Sequence, residues 1–250
     1  MSNSFPQGTK LPHHLAIIPD GNRRWAREHK LPTLQGHLKG FKALLGMAKA
    51  ARQWGIHTTT LWIFSTENWK REKSEVDYLM KIEEKMIKQY LPELKKDKVR
   101  IIHLGRKDRI PESFARTLKN AENETLNNEK HVLNIAVDYG GHDEILRAIG
   151  KMCHSEASAE ESREILRFTQ DDILTEEEFA KFLDTNDQPY PNPDLLIRTS
   201  GEMRTSGLLP WQTAYTEFVF LKKHLPDCTV EDLKEAILEY SKRQRRFGGN

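Results

Sequence analysis

The sequence predicts an α/β protein of one domain, in which a central, mostly parallel sheet of about six strands is flanked by helices. Short apolar runs alternate along the chain with longer amphipathic segments, which is the order expected for strands joined by helical crossovers. Most of these runs are continuously apolar, as in strands covered on both faces. The length of 250 residues suffices for one large domain. The predicted strands are 15–18, 59–64, 99–104, 132–137, 194–198 and 217–221.

The helices are predicted from periodicity and from the segments between strands. Apolar residues spaced four and three apart between 34 and 48 define one helical face. A second helix, covering 76–91, is expected to be interrupted by the charged run 81–85 and to end near Pro92, because proline disrupts a helix interior. The remaining predicted helices are 112–128, 142–154, 175–183 and 230–245.

Composition limits the classes of protein to which the chain can belong. Hydrophobic residues make up 37% and charged residues 30%, which is typical of a soluble globular protein. The 39 basic and 37 acidic residues nearly balance, so the charge gives no case for nucleic-acid binding. Cys153 and Cys228 form no CxxC motif and suit a reducing cytosol. No apolar run approaches the roughly 20 residues that span a bilayer, and residues 1–14 lack a signal-peptide core. We therefore expect a cytoplasmic protein.

Three segments stand apart from the predicted single domain 1–250. Residues 1–12 are expected to be a flexible N-terminus. The polar segment 154–172, rich in Ser and Glu, is interpreted as a solvated insertion, with a regulatory or partner-binding role as the alternative. Residues 242–250 form a basic C-terminal tail that on composition alone needs no function, since cations suit a helix C-terminus.

The first predicted strand runs directly into "DGNRRWA". Ligands of open α/β sheets bind beyond the carboxyl ends of the strands, where Asp20 lies. Gly21 permits close approach of the backbone, and Arg23 and Arg24 offer donors suited to phosphate oxygens. A carboxylate beside an anion needs a bridging cation, and Mg²⁺ is the ion that combines few carboxylates with phosphate oxygens. The pattern predicts a metal–diphosphate site, and the alternative is that Asp20 only caps a helix.

Two further polar segments follow predicted strands. "FSTENWKR", 64–71, offers a hydroxyl, an amide, an aromatic ring and a base, and otherwise reads as a polar loop packed under a core tryptophan. "RTSGEMRTSG" places Arg198 and Arg204 six residues apart with Ser200 and Ser206, a second anion cradle. Arg198, at the end of an apolar strand, would be costly to bury without an anionic partner. Two cationic segments and one acid at one rim predict two phosphorylated substrates.

Five blocks in fixed order carry a resemblance to a known family. They are "DGNRRWA", the Gly36-His37 pair, "FSTENWKR", "DYGG" at 138–141, and "DLLIRTSGEMRTS" with "WQTAYTEFVF" and a final "RRFGG". Together they resemble the cis-prenyltransferases, of the bacterial undecaprenyl diphosphate synthase type, over residues 14–249 apart from 154–172.

The resemblance implies a homodimeric enzyme with an elongated apolar tunnel. It implies Mg²⁺-dependent addition of isopentenyl diphosphate to an allylic diphosphate, usually farnesyl diphosphate, to give a cis-polyprenyl diphosphate. Such a product would be the undecaprenyl-type lipid carrier precursor for cell-wall synthesis. Because the product must leave into lipid, peripheral contact with the inner membrane is expected.

The resemblance also implies roles for individual residues. Asp20 and Asn68 are implied to be catalytic, and Asp20 and Glu217 to be metal ligands; a charge at a strand edge is the alternative for Glu217. The implied tail element, which in this family reaches the partner subunit's site, is "RFG" at 246–248. The implied substrate-binding residues are Gly21, Asn22, Arg23, Arg24, Trp25, His37, Ser65, Glu67, Trp69, Arg71, Arg198, Arg204, Ser206, Arg246 and Gly248.

Several positions depart from the family pattern. Thr33 stands where an arginine is common, and Met203 where a histidine is common. Ile63 and the charged run 81–85 lie on the tunnel-side strand and helix, where bulk or charge would shorten the product. One alternative is a catalytically silent subunit of the same fold, but such subunits typically lose the aspartate of the first block. A second alternative, a nucleotide-binding oxidoreductase, lacks a GxGxxG after the first strand.

Overall fold

The computed structural model describes residues 5–155 and 174–244, which form one six-stranded sheet in the order β3-β4-β2-β1-β5-β6. Every neighbouring pair is parallel, so the sheet is fully rather than mostly parallel. All six predicted strands are confirmed, with bounds shifted by no more than two residues. They are β1 His14–Ile18, β2 Thr58–Ser65, β3 Val99–Leu104, β4 His131–Tyr139, β5 Leu195–Arg198 and β6 Glu217–Phe220.

The helices lie between the strands as predicted, and some bounds differ. The sixth is shorter than predicted, and the seventh ends at Ser241 rather than near 245. Two short 3₁₀ helices, Thr66–Lys70 and Leu225–Asp227, were not predicted. The helices are α1 Asn22–Glu28, α2 Thr33–Gln53, α3 Lys73–Lys96, α4 Glu112–Thr125, α5 Gly141–Ser155, α6 Glu176–Ala180 and α7 Val230–Ser241.

The predicted break and end of the third helix were wrong. Helix α3 is continuous through the charged run and through Pro92, which is exposed. Lys81 and Lys85 point to solvent while Ile82 is buried, so the run is compatible with an amphipathic helix. Packing of Leu94 in the core beyond the proline holds the helix together, although an interior proline costs roughly 3 kcal/mol.

The core lies on both faces of the sheet because side chains alternate along each strand. From β1, Leu15 and Ile17 pack into the larger cluster, which α2, α3, α4 and α7 cover. Ala16 and Ile18 point to the other face, where Leu208, Leu209 and their neighbours form a smaller cluster. None of the helices within 5–155 and 174–244 is long and apolar enough to cross a membrane.

The structure describes only parts of the three segments that the sequence set apart from the rest of the domain, namely 1–12, 154–172 and 242–250. Residues 5–12 carry neither helix nor strand, and the ring of Phe5 packs edge-on against Trp54 at a centroid distance of 5.0 Å, so their flexibility stays a prediction. Of the predicted insertion, residues 156–172 lie outside the described residues, as do residues 245–250 of the predicted tail. The thiols of Cys153 and Cys228 are free, as expected.

Candidate active site

The loops that follow β1, β2 and β5 meet at one edge of the sheet. These strands are neighbours and parallel, so their carboxyl ends lie side by side. Asp20 follows β1, the 3₁₀ helix Thr66–Lys70 follows β2, and the segment 199–207 follows β5. The predicted convergence of the three polar segments is therefore present in the fold.

Two cavities open at this edge. The first, which we call the strand-end cavity, measures about 330 Å³ and is lined by Asp20, Ser65, Asn68, Arg198 and Ser206 among others. The second, which we call the arginine cavity, measures about 550 Å³; its wall includes Arg23, Arg24, Arg27 and Arg71. Both cavities share a wall that contains Pro19, Asp20, Asn22, His37 and Arg71.

Asp20 is held as a carboxylate in this shared wall. Its Oδ2 accepts a hydrogen bond from Arg198 Nη2 at 2.9 Å, and its Oδ1 accepts one from the Gly21 N–H at 2.7 Å. Arg24 Nη2 lies 3.3 Å from Oδ1. Burial raises the pKa of Asp20, but the hydrogen bond and charge of Arg198 outweigh it, so the pKa lies below its ordinary value. The N-cap of α1 is Gly21, without a side-chain cap, so the alternative that Asp20 caps the helix is wrong.

Gly21 makes the turn between β1 and α1 feasible. Its φ of 98° lies in the left-handed region that disfavours side chains. A Cβ at this position would come within 2.5 Å of Ser200 Oγ and 2.6 Å of His224 Nδ1. The absent side chain therefore lets the loop that carries Asp20 pack directly on the loop that follows Arg198.

Arg198 connects the first and fifth strand ends. Its Nη1 donates to the Arg204 carbonyl at 2.6 Å and to Ser206 Oγ at 2.7 Å. The side chain is buried, and Asp20 supplies the anionic partner that its position demands. Within 5–155 and 174–244, the buried Nε of Arg198 has no hydrogen-bond partner, whereas both of its terminal nitrogens are hydrogen-bonded.

Arg204, the second arginine of this segment, directs its guanidinium to the protein surface. The guanidinium of Arg204 is exposed and pairs with Glu202, and only its backbone carbonyl contacts Arg198. Glu202 also binds Arg24, with 2.8 Å between Oε1 and Nη1. The sequence predicted that Arg198 and Arg204 would face one anion, but here a carboxylate holds the second arginine at the surface.

A buried acid that the sequence analysis missed organises the wall shared by the cavities. Glu75 Oε1 accepts hydrogen bonds from Arg71 Nη1 at 3.1 Å and lies 3.0 Å from His37 Nε2. Arg23 Nε is 3.8 Å from the other oxygen. Burial lowers the pKa of His37 more than the hydrogen bond to Glu75 raises it. The spacing of Arg71 and Glu75, one helical turn apart, was the available signal.

The loop after β2 is fixed by its own side chains. Asn68 Oδ1 accepts from the Ser65 N–H at 3.1 Å, closing a capping box on the 3₁₀ helix. Trp69 turns away from the cavities, packs on Phe64 at 5.1 Å and donates from Nε1 to Asp138 Oδ1 at 2.7 Å. Asp138 belongs to the "DYGG" block, to which the sequence analysis assigned no role, and it ties this loop to β4.

The predicted site residues divide into those at the cavities and those elsewhere. Among the described residues, Trp25, Trp69, Arg204 and Glu217 line neither cavity; Trp25 is buried and stacked on His29. Arg246 and Gly248 lie outside the described residues. Those that do line the cavities are Asp20, Gly21, Asn22, Arg23, Arg24, His37, Ser65, Glu67, Asn68, Arg71, Arg198 and Ser206.

Glu217 begins β6 and pairs in register with Leu195, which in turn pairs with Leu15. Asp20 lies five residues beyond Leu15, which corresponds to roughly 16 Å along the strand direction. Within one chain the two carboxylates are therefore too far apart to share an ion. Glu217 Oε2 accepts from Arg243 Nη1 at 2.8 Å, and its role as a metal ligand stays a prediction.

Asp20 is the group that could hold a cation. Across 5–155 and 174–244, no group of three or more His, Cys, Asp or Glu side chains could bind a metal ion. A single, partly exposed carboxylate in the wall that two arginine-containing cavities share still fits Mg²⁺, which is held by one or two carboxylates and completes its shell with phosphate oxygens and water. Such a donor set suits a cation that binds together with a phosphorylated ligand.

A third cavity lies beside the strand-end cavity. It measures about 50 Å³ and is lined by aliphatic and aromatic side chains and by Glu83; we call it the apolar cavity. Phe41, Leu44 and Ile63 line both it and the strand-end cavity. Of the charged run 81–85, Glu83 therefore belongs to a cavity wall. The site thus combines two cavities that contain arginine side chains with a neighbouring apolar cavity.

Comparison with known proteins agrees with this geometry. Residues 18–248 match the family model described as putative undecaprenyl diphosphate synthase. An isoprenyl transferase of Thermotoga maritima is 42% identical over 96% of this chain and 98% of its own length. One from Bacillus cereus is 41% identical over 96% of this chain and 89% of its own length.

Solved structures show the same fold. Lavandulyl diphosphate synthase from Lavandula x intermedia, in complex with dimethylallyl diphosphate, superposes with a TM-score of 0.87 and 35% identity, covering 97% of this chain and 100% of that one. A probable undecaprenyl diphosphate synthase from Campylobacter jejuni gives a TM-score of 0.74 and 28% identity, covering 96% and 99%.

Proposed function

The chain belongs to the undecaprenyl diphosphate synthase family of prenyltransferases, and we propose that it condenses isopentenyl diphosphate onto an allylic diphosphate to give a cis-polyprenyl diphosphate. The observation that carries this proposal is the position of Asp20, which lines both the strand-end and the arginine cavity and is paired with Arg198. Two cavities that contain arginine side chains and share an acid fit a reaction between two diphosphates.

Each substrate has a cavity of suitable chemistry. The arginine cavity fits the allylic diphosphate, because Arg23 and Arg24 offer charged donors to its phosphate oxygens. The strand-end cavity fits the isopentenyl diphosphate, because the cationic Arg198 and the hydroxyl of Ser206 line it side by side. The hydrocarbon of the allylic substrate would extend towards the apolar cavity, which shares the wall residues Phe41, Leu44 and Ile63 with the strand-end cavity.

The chemistry consists of one bond broken and one formed. The bond between C1 and oxygen of the allylic diphosphate breaks, and its electron pair leaves with the diphosphate, whose charge the arginine donors stabilise. The double bond of isopentenyl diphosphate supplies the electron pair of the new carbon–carbon bond, and that unit then loses a proton. The acceptor is either the released diphosphate or a residue of the loop 65–71. Side-by-side diphosphates place the reacting carbons together.

Mg²⁺ is the proposed cofactor, with Asp20 as its protein ligand. When bound, it would neutralise charge on the diphosphate oxygens. The carboxylate is already ionised, because Arg198 holds its pKa low. The protein's own part is to keep Asp20 and Arg198 at fixed positions between the two substrates.

The finer assignments are part of the proposal. Farnesyl diphosphate is the proposed primer, the undecaprenyl-type lipid carrier precursor the proposed product, and a homodimer the proposed assembly. The proposed location is the cytoplasm with peripheral contact to the inner membrane, because the product must pass into lipid. Flotation with product-containing vesicles tests that contact, and a protein that stays at the bottom of the gradient would count against it.

A catalytically silent subunit is the competing function. Asp20, Asn68 and Arg198 all line the strand-end cavity, which favours the enzyme. The test is to incubate the protein with farnesyl diphosphate, labelled isopentenyl diphosphate and Mg²⁺, and to size the products by mass spectrometry. We expect metal-dependent polyprenyl products that disappear with a chelator.

Two substitutions make this experiment specific. Asp20→Asn keeps the shape and removes the charge, and it should lower the rate by on the order of 10²–10³-fold, as for loss of a main electrostatic group. Asp187→Asn is the control. It removes an exposed carboxylate that pairs with Arg100 and lines neither cavity, and it should leave the rate unchanged. A folded wild-type protein that yields no product would contradict the proposed enzyme, and an Asp20→Asn variant of full activity would contradict the site.

A further inference from the structure

His224 connects three segments of the chain that meet at the active site. It is the N-cap residue of the 3₁₀ helix Leu225–Asp227. Its Nδ1 is hydrogen-bonded to the hydroxyl of Ser200 in the loop after β5, and its Nε2 lies 3.1 Å from Oε1 of Glu28, the last residue of α1. Because a carboxylate only accepts, the neutral ring donates from Nε2 to Glu28 and accepts the hydroxyl proton at Nδ1. The imidazole thus joins α1 to the loop after β5.

These contacts lie directly against the turn that carries Asp20. A Cβ on Gly21 would come within 2.6 Å of His224 Nδ1, so the ring packs on the backbone of this turn. The Asp20 carbonyl accepts hydrogen bonds from the Leu225 N–H at 3.0 Å and from Thr199 Oγ1 at 2.7 Å. Leu225 follows His224 in the chain, and Thr199 precedes the serine that the ring binds. The ring therefore links the two residues that anchor the Asp20 backbone.

The loop after β5 carries backbone strain at the residue that His224 binds. Ser200 has a φ of 78°, in the left-handed region that disfavours side chains. Its N–H donates to the Lys223 carbonyl at 2.7 Å, and the N–H of Gly201 donates to the Leu221 carbonyl at 2.8 Å. Such a conformation persists only where the surroundings hold it, and the hydrogen bond to His224 is one of the contacts that hold it.

A serine, a histidine and an acid in contact are also the arrangement that activates a serine nucleophile. The geometry contradicts that function here. Among the described residues that line the strand-end and arginine cavities, none of these three is present. The N–H groups of Ser200 and Gly201 are already bonded to carbonyls, so neither is available to an oxyanion. The three side chains therefore fix positions and take no part in the bond changes.

We infer that His224 is a positioning residue, which holds α1 against the loop after β5 and so fixes the arginine cavity relative to the strand-end cavity. The inference rests on the proposed function. Helix α1 has only seven residues, so contacts with its neighbours determine its direction. It carries Arg23 and Arg24, whereas Arg198 ends β5. Two bound substrates react only at the correct separation, and a displacement of about 1 Å can lower the rate on the order of 10²-fold.

The test separates reaction from binding. His224→Ala removes both hydrogen bonds and changes no residue that lines either cavity. We expect kcat for the condensation to fall on the order of tenfold. The dissociation constants of farnesyl diphosphate and isopentenyl diphosphate, each measured alone, should change by less than about threefold, because each cavity stays intact. Equal kcat in the two proteins, or a loss explained wholly by weaker binding, would overturn the inference.

His57→Ala is the matched control. It also removes a partly buried histidine that is hydrogen-bonded to a hydroxyl, that of Thr58 at 2.9 Å, but it lies at the amino end of β2, away from the site. Its kcat should equal that of wild type, and equal losses in both variants would contradict a special role for His224. His224→Asn, whose amide can take the place of Nδ1, should recover part of the lost kcat.

A double variant and an experiment without turnover complete the test. Ser200→Ala should also lower kcat, and its loss should not add to that of His224→Ala, because both remove the same hydrogen bond; additive losses would contradict the link. Hydrogen exchange of the α1 amides should accelerate in His224→Ala and not in His57→Ala. Unchanged exchange would overturn the inference, whereas a wild-type protein that makes no product would contradict the proposed function alone. Should His224→Ala fail to fold, Ser200→Ala replaces it in both measurements.

Discussion

Two acidic residues that line neighbouring cavities of this protein, Asp20 and Glu83, have opposite surroundings. Asp20 receives hydrogen bonds from Arg198 and from a backbone N–H, and its pKa lies below the ordinary value. Glu83, on the wall of the apolar cavity, receives none from the described residues, and burial raises its pKa. The comparison teaches that hydrogen-bond partners and burial together decide whether an acid is charged, since Asp20 is half-buried and partnered while Glu83 is fully buried and has no partner among the described residues.

The difference suits two parts of one proposed reaction. A carboxylate beside two diphosphate cavities has to be ionised to bind a cation. A carboxyl beside a hydrocarbon has to be neutral, because an ion in an apolar cavity costs far more than a neutral group. The hydrogen bond from Arg198 distinguishes Asp20 from Glu83. Among residues 5–155 and 174–244, no donor forms a hydrogen bond with the Glu83 carboxyl.

Among the changes that test this comparison, and after Asp20→Asn itself, the largest effect is expected from weakening the Arg198 pair. Arg198→Lys keeps the charge but loses the fork that binds Asp20, the Arg204 carbonyl and Ser206 together. We expect kcat/KM for isopentenyl diphosphate to fall on the order of 10²-fold, as for loss of one main electrostatic donor. Steady-state kinetics measure it, with Arg100→Lys, whose partner is the exposed Asp187, as the control. Equal losses in both variants would contradict a special role for Arg198.

The second prediction concerns pH and Glu83. Its pKa is raised in the folded protein, so the folded state holds this proton while the unfolded chain releases it. Its contribution to the free energy of unfolding is complete below the unfolded pKa of about 4.3 and is lost as the pH rises, by about 1.4 kcal/mol per unit up to the folded pKa. Urea unfolding of wild type and Glu83→Gln between pH 5 and about 7 measures the difference.

Glu83→Gln cannot ionise, so wild type should lose stability relative to it as the pH rises. Glu84→Gln is a matched control on the next residue, whose carboxylate binds Lys88 and whose pKa is lowered despite partial burial. A pH-independent difference between wild type and Glu83→Gln would show that Glu83 keeps an ordinary pKa, and the contrast with Asp20 would fail.

The third prediction is that Glu83→Leu stabilises the protein. The substitution replaces an unpartnered polar group with an apolar one of similar volume among apolar neighbours. Removing such a group should raise the free energy of unfolding by about 1 kcal/mol at neutral pH. Urea unfolding measures it, and Lys81→Leu on the exposed side of the helix should change stability by less than about 0.5 kcal/mol. A destabilised Glu83→Leu would indicate that the carboxyl has a partner.

The sequence was sufficient to predict the sheet, because the apolar run that marks each strand is a local pattern. Continuous apolar runs such as 132–137 lie in strands covered on both faces, and their order along the chain predicted parallel pairing. The convergence of Asp20 and Arg198 followed from the same rule, since the carboxyl ends of parallel strands share an edge. Both predictions needed only residue types and their order.

The features that the sequence did not predict depend on neighbours distant along the chain. Within the run 81–85, letters alone do not reveal that Glu83 turns inward while Lys81 and Lys85 turn outward. Pro92 continues a helix because residues on both sides of it pack on the sheet. Arg204 pairs with Glu202, whose other carboxylate oxygen binds Arg24 of α1, far away along the chain. In each case contacts between side chains decided against the expectation from the local sequence.

The smallest effect is expected at Asp138, a fully buried carboxyl that, unlike Glu83, has hydrogen-bond partners on both oxygens. It accepts one hydrogen bond from Trp69 and two from Arg109, at 2.8 and 2.6 Å. Trp69→Phe removes the first and keeps the ring packing on Phe64, so the free energy of unfolding should fall by about 1 kcal/mol. The rate of product formation should change only a few-fold, since Trp69 lines neither the strand-end cavity nor the arginine cavity. Thermal unfolding and steady-state kinetics test it, with Trp54→Phe as a control; a hundredfold loss of rate would place Trp69 at the reacting centre.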